Sequence, residues 1–164
     1  MTDAAARPAP EITLEATVSG RELTLNAPGQ PTLLLLIAQD SAGQVDPVVE
    51  KVRETYPHTR DLRVATVIDG RPFPKLVRPV AEAMIKSRYQ EEAGKLDDGE
   101  EPAEWIYIIP DWEARTMTEL GITDVKQTIA VAALSADGTL FGPHQGEDTA
   151  DRALELANAA VAAS

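Results

Sequence analysis

Leu33-Leu34-Leu35-Leu36-Ile37 runs directly into Ala38-Gln39-Asp40-Ser41-Ala42-Gly43-Gln44. The aliphatic run has no polar face, so it reads as a strand buried on both sides. Strands of that kind are usually central and parallel. The turn after it sets a strand carboxyl end against a helix amino end, where α/β proteins gather ligands. Here the junction carries no cysteine, no histidine and no Gly-rich phosphate loop. It speaks for an architecture more than for an activity.

The rest of the chain is long enough to bury that strand. Its 164 residues suffice for one domain with a core. Aromatic residues make up only 4%, so that core must be mostly Leu, Val, Ile and Ala. The net charge of −12 argues against nucleic acid and anionic membrane surfaces, which need concentrated Lys and Arg. The absence of cysteine excludes disulfides, thiolate nucleophiles, Cys-ligated zinc and Fe–S clusters. Met1–Pro10 is rich in Ala and Pro, carries Asp3 and has no apolar run. It reads as a disordered tail and not a signal peptide. No apolar run is long enough to span a bilayer. A cytoplasmic protein of bacterial style is expected, with residues 11–164 as a single domain.

Before the central strand, Ile12, Leu14, Ala16 and Val18 alternate with polar residues, and Leu23 and Leu25 resume the pattern after Ser19-Gly20-Arg21. That is a hairpin. After it, Ser41 and Gln44 fit a capping box, with Asp46-Pro47 as a competing helix start. Val45, Val48, Val49, Val52 and Tyr56 share one helical face up to Pro57. Leu62–Ile68 is a second core strand. A helix over Pro79–Ala93 would bury Val80, Ala83 and Met84. Lys95–Glu104 is an acidic loop, and Trp105–Ile109 a short strand. Trp112–Leu120 is a short helix closed by Gly121 in a left-handed conformation. Thr128–Leu134 and Thr139–Gly142 form a hairpin about Asp137-Gly138. Asp148 or Thr149 caps a final helix whose stripe is Ala150, Ala153, Leu154, Ala157 and Val161. Alternating strands and helices imply right-handed crossovers and a parallel centre, with the last hairpin as an antiparallel edge.

This order resembles the thioredoxin superfamily, in particular its peroxiredoxin-like branch. The resemblance covers about Glu11 to Ala162. It rests on the entry ITL…SGRELTL at Ile12–Leu25, the strand Pro31–Ile37, the segment WIYIIPDWEARTMTELGI at Trp105–Ile122, and the hairpin TIAVAALSADGTL at Thr128–Leu140. It implies a thioredoxin-like α/β fold, a central mixed sheet flanked by helices on both faces. The family's Cys-x-x-Cys would fall near Gln39–Ala42, where the residues are Gln-Asp-Ser-Ala. A peroxidatic cysteine would fall near Gln44 or Val45, and its partner threonine near Ala42. The family's cis-proline would fall near Gln127–Ile129, which contains none. The fold carries over, and thiol chemistry does not.

Gln39, Asp40, Ser41, Ala42, Gln44 and Thr128 therefore mark a vestigial active-site turn. Helix capping is the default role of Asp40 and Ser41; an anion or an activated hydroxyl at the helix start is the alternative. A Ser41–His144 triad lacks any nucleophile-elbow or oxyanion-hole signature, and His58 and His144 read as loop residues. Asp97, Asp98, Glu100, Glu101 and Glu104 lack the spacing of a calcium loop and read as solvated charge. Glu113 and Asp124 read as surface. Arg71, Lys75 and Arg78 form a basic patch with Phe73 interleaved, suited to an acidic or phosphorylated partner. Trp105 and Tyr107 would share a strand face in the core, while an exposed Trp112 would mark a contact surface. No catalytic residue, metal site or cofactor is assigned. The first functional expectation is a redox-inactive binding, scaffold or chaperone-like module with a protein partner. An enzyme using Asp40 and Ser41, and a self-associating protein dimerising through a sheet edge or helix face, are the alternatives.

Overall fold

The computed structural model describes residues 6–164. Among the described residues, eight strands and five α-helices follow one another. The strands are β1 (Ala6–Pro8), β2 (Thr13–Glu15), β3 (Glu22–Thr24), β4 (Thr32–Ile37), β5 (Arg63–Asp69), β6 (Tyr107–Asp111), β7 (Ala130–Leu134) and β8 (Thr139–Gln145). The helices are α1 (Val45–Thr55), α2 (Arg78–Gly94), α3 (Pro102–Trp105), α4 (Arg115–Leu120) and α5 (Thr149–Ala162). One sheet has the order β1-β8-β7-β4-β5-β6, and β2 pairs with β3 in a separate hairpin.

The aliphatic run forms β4, and every residue of that strand is buried. It pairs in parallel with β5 and antiparallel with β7. Both faces are covered. Leu33, Leu35 and Ile37 meet Val48 and Val52 of α1 and Ala153 and Leu156 of α5. Leu34 and Leu36 meet Met117 and Leu120 of α4 and Leu14, Leu23 and Leu25 of the hairpin. Period-two alternation in β4 thus feeds two separate cores. Among the described residues no helix is long and apolar enough to cross a membrane.

Several expectations need correction. Ala6–Pro8, placed in the tail, forms β1 and pairs antiparallel with Phe141–Thr139 of β8; Met1–Ala5 lie outside the described residues. The last hairpin is therefore not the sheet edge. Trp105 is not on the strand, because α3 ends there and β6 begins at Tyr107. Pro102 starts that turn, so Lys95–Glu104 is not all loop. The final stripe contains Leu156 and Ala160 and omits Leu154, while Ala150 and Val161 pack against it half-buried. Most consequentially, α2 buries Ala81 and Ile85 and turns Val80 and Met84 outward, at 61% and 48% exposure. Two offset apolar series run along this helix, and the sequence pattern favoured the wrong one.

Candidate functional site

The turn after β4 is a 3₁₀ segment, Gln39–Gln44, that leads into α1 at Val45. Ser41 does not cap α1, because its side chain points inward and is 1% exposed. Its Oγ accepts the Ala38 N–H at 3.0 Å and lies 2.6 Å from the Val125 carbonyl, to which it donates. Gln44 works beside it. Its Nε2 donates to the Gln127 carbonyl at 2.6 Å, and its Oε1 accepts the Ile129 N–H at 3.1 Å. Both side chains join the turn to the loop before β7.

That loop contains Thr128, and Gln145 Nε2 donates to the Thr128 carbonyl at 2.8 Å. The sequence thus picked out two segments that do meet in space. What it missed is that they are hydrogen-bonded to each other. The Gln127 carbonyl and the Ile129 N–H are thus both paired with the Gln44 side chain. Gln39, Asp40 and Ala42 stay exposed on the outer side. The Ser41 hydroxyl is buried and paired, so it offers no nucleophile to solvent. His144 bonds through Nε2 to the Glu147 carbonyl instead, so no Ser41–His144 hydrogen bond forms. Among the described residues no group of three or more His, Asp or Glu side chains is placed to hold a metal ion.

The basic patch is largely spent on internal contacts. Arg71 grips Asp69 with two parallel bonds, Nε to Oδ1 and Nη2 to Oδ2, each 3.0 Å, and also donates to the Thr123 carbonyl. Asp69 is buried at the carboxyl end of β5 and was not singled out from the sequence. Burial alone would push its pKa up, but the Arg71 bonds outweigh that and hold it below the usual carboxylate value. Arg78 lies over the Trp112 ring, 4.9 Å from its centroid, and Phe73 meets Trp112 edge-on at 6.5 Å. Gly70 permits this stack, because a Cβ there would fall 2.6 Å from the Trp112 Cα. Lys75 remains exposed.

The Asp69–Arg71 pair makes stability depend on pH. A carboxylate whose folded pKa is depressed adds stability above its unfolded pKa, and that share is lost as pH falls through the folded value. Arg71→Met should therefore raise the midpoint of acid unfolding monitored by circular dichroism. Arg71 is 45% exposed, so solvent screening limits the loss to about 1 kcal/mol.

Outside these expected positions lies an exposed apolar stripe. Leu76 is 94% exposed, and Val80 and Met84 follow at four-residue intervals, with Val77 beside them. The sequence pattern places Val80 and Met84 in the core and says nothing of Leu76 and Val77.

No protein-family model matches the chain, and no curated protein matches it. Solved structures do. BsSco, a member of the Sco family of cytochrome c oxidase assembly proteins, superposes with a TM-score of 0.61 at 11% identity, covering 100% of this chain and 99% of that one. A putative thiol:disulfide interchange protein DsbE from Chlorobium tepidum gives 0.61 at 15% identity, covering 98% of each. StoA from Bacillus subtilis gives 0.56 at 20% identity, covering 91% of this chain and 98% of that one. The chain has the thioredoxin-like fold: an α/β architecture with a mixed central sheet and helices on both faces. With no cysteine in the sequence, it is not a thiol redox protein.

Proposed function

We propose that this chain is a redox-inactive binding module that holds an acidic amphipathic helix of a protein partner on the outer face of α2. One observation carries the reading: Val80 and Met84 on α2, and Leu76 in the 3₁₀ turn Lys75–Val77 that leads into it, are exposed at four-residue intervals. Isolated exposed aliphatics are ordinary, but a contiguous stripe marks a contact surface. An apolar helix face laid against it would bury such a stripe in the helix-to-groove manner. Charge selects the partner's sign. Lys75 precedes the stripe and Lys86 borders it, and the chain's net charge of −12 makes such local basic positions scarce. The closed turn at Ser41 and Gln44 supports the same reading, since it diverts function away from the old active-site position. Within the fold we assign the chain to a peroxiredoxin-like branch, on the strength of its entry hairpin and its Asp137-Gly138 turn.

The test uses two synthetic helices with the same leucine stripe, one flanked by Glu and one by Lys, titrated by calorimetry. The Glu-flanked helix should bind, and Val80→Asp with Met84→Asp should weaken it by about tenfold or more, equivalent to about 1.4 kcal/mol. Circular dichroism should show the double variant folded. Equal binding of both helices, or unchanged binding by the folded variant, would overturn the proposal. A light-scattering mass of twice the chain that Val80→Asp abolishes would also overturn it, by giving the stripe to a second copy.

A further inference from the structure

Beneath α2 lies a cavity of about 450 Å³. That volume falls within the range of small-molecule sites, roughly 300–1,000 Å³. Its floor is the β5 face carrying Val64, Thr66 and Ile68, and Val49 of α1 forms a side wall. Its roof is Ala81 and Ile85, the buried residues of a 17-residue helix that otherwise makes little core. Trp105 and Trp112 bracket β6 and both line the cavity. The space therefore runs the length of that strand, about 17 Å at roughly 3.3 Å per residue.

The wall is apolar except for a few side chains, among them Gln39, Thr66, the carboxylates of Asp46 and Glu92, and two arginines. Arg88 is paired with Asp46 and Glu92. Arg53 also lines the cavity, but among the described residues no carboxylate forms an ion pair with it. Its Nη1 donates to the Tyr56 and Leu62 carbonyls at 3.2 and 2.8 Å, and its guanidinium stacks 5.0 Å from the Trp105 ring centroid. Burial lowers its pKa to about 10, partly offset by Glu100, so the cation is only partly compensated yet charged at neutral pH. The described residues leave Nε and Nη2 free of hydrogen bonds. These two nitrogens are the same fork with which Arg71 holds Asp69. Such a fork matches a planar carboxylate in bidentate geometry.

We infer that this cavity binds a single-chain aliphatic carboxylate, with its carboxylate on Nε and Nη2 of Arg53 and its chain lying along β5 beneath α2. The elongated shape favours one chain over a fused-ring body. Of the two arginines lining the cavity, Arg53, stacked on Trp105, has no ion pair among the described residues, which favours one anionic head there. Met84 lies at the edge shared by this cavity and the outer stripe, while Leu76 and Val80 belong to the stripe alone; neither proposal requires the other.

The chain contains two tryptophans, and both line this cavity. Their fluorescence therefore reports occupancy directly. Dodecanoate should shift it saturably, and dodecanol should bind about tenfold more weakly or worse. Arg53→Gln should remove that preference while leaving dodecanol binding in place. Arg53→Lys serves as a second variant if the glutamine form is unfolded by circular dichroism, since it keeps the charge and loses the fork; it should bind dodecanoate more weakly than the unmodified chain. Ile85→Trp, which fills the roof, should abolish binding of both probes. The inference is overturned if dodecanoate does not bind, if dodecanol binds equally well, or if folded Arg53 variants keep the full preference for the carboxylate.

Discussion

Leu36→Ala should lower the unfolding free energy by about 2–5 kcal/mol, measured by urea denaturation. Leu36 has no exposed surface and lies in the middle of the sheet, between Val67 of β5 and Ala130 of β7. Its side chain belongs to the core shared with α4 and the β2–β3 hairpin. Strands on both sides fix its backbone, so the surroundings can close only part of the void. The same truncation at Val80 should change stability by about 0.5 kcal/mol or less, because that side chain is mostly in solvent. The contrast is informative because both residues look like core by sequence alone. If Val80→Ala cost as much as Leu36→Ala, α2 would have to face inward, and both the stripe and the cavity would be lost with it.

That contrast also shows how far the sequence could be read. Leu33–Ile37 was unambiguous because a strand apolar on both sides has one place to go. The hairpins were equally plain, since alternation and the Gly20 and Asp137-Gly138 turns agree with each other. Helix α2 was not, because Val80 and Met84 compete with Ala81 and Ile85 for the same core. Hydrophobicity prefers the larger pair, while the fold uses the smaller. The space that choice leaves beneath the helix has no sequence signature at all. At the candidate site, the thioredoxin-like resemblance sets the turn and the Gln127–Ile129 loop opposite each other. The bonds from Ser41 and Gln44 to backbone carbonyls were invisible, because a carbonyl is present at every position and its accessibility is a property of the fold. Arg53 escapes such a reading for a related reason: that no carboxylate among the described residues forms an ion pair with it is a matter of three-dimensional placement.

Ser41→Ala should cost about 1–3 kcal/mol and should also loosen the loop before β7. The hydroxyl is buried and serves two backbone groups at once, the Ala38 N–H and the Val125 carbonyl. Removing it deletes both bonds and leaves their partners with no water in reach. Gln44 then remains as the side-chain tie from the turn to this loop, through Gln127 and Ile129. Gln44 is exposed, so Gln44→Ala alone should cost less, because water can replace its bonds. Hydrogen exchange separates the two effects. The Ile129 amide should exchange faster in Gln44→Ala, where it loses its acceptor directly, and in Ser41→Ala, where the loop opens. A Ser41→Cys variant provides the chemical counterpart. A thiol there is buried against the same carbonyl, and burial in such surroundings keeps cysteine protonated and inert. It should therefore react slowly with a thiol-specific reagent, whereas Ala42→Cys, at an exposed position of the same turn, should react readily. Rapid modification at both positions would mean that the turn is open to solvent, and the case for a site closed by Ser41 and Gln44 would fail with it.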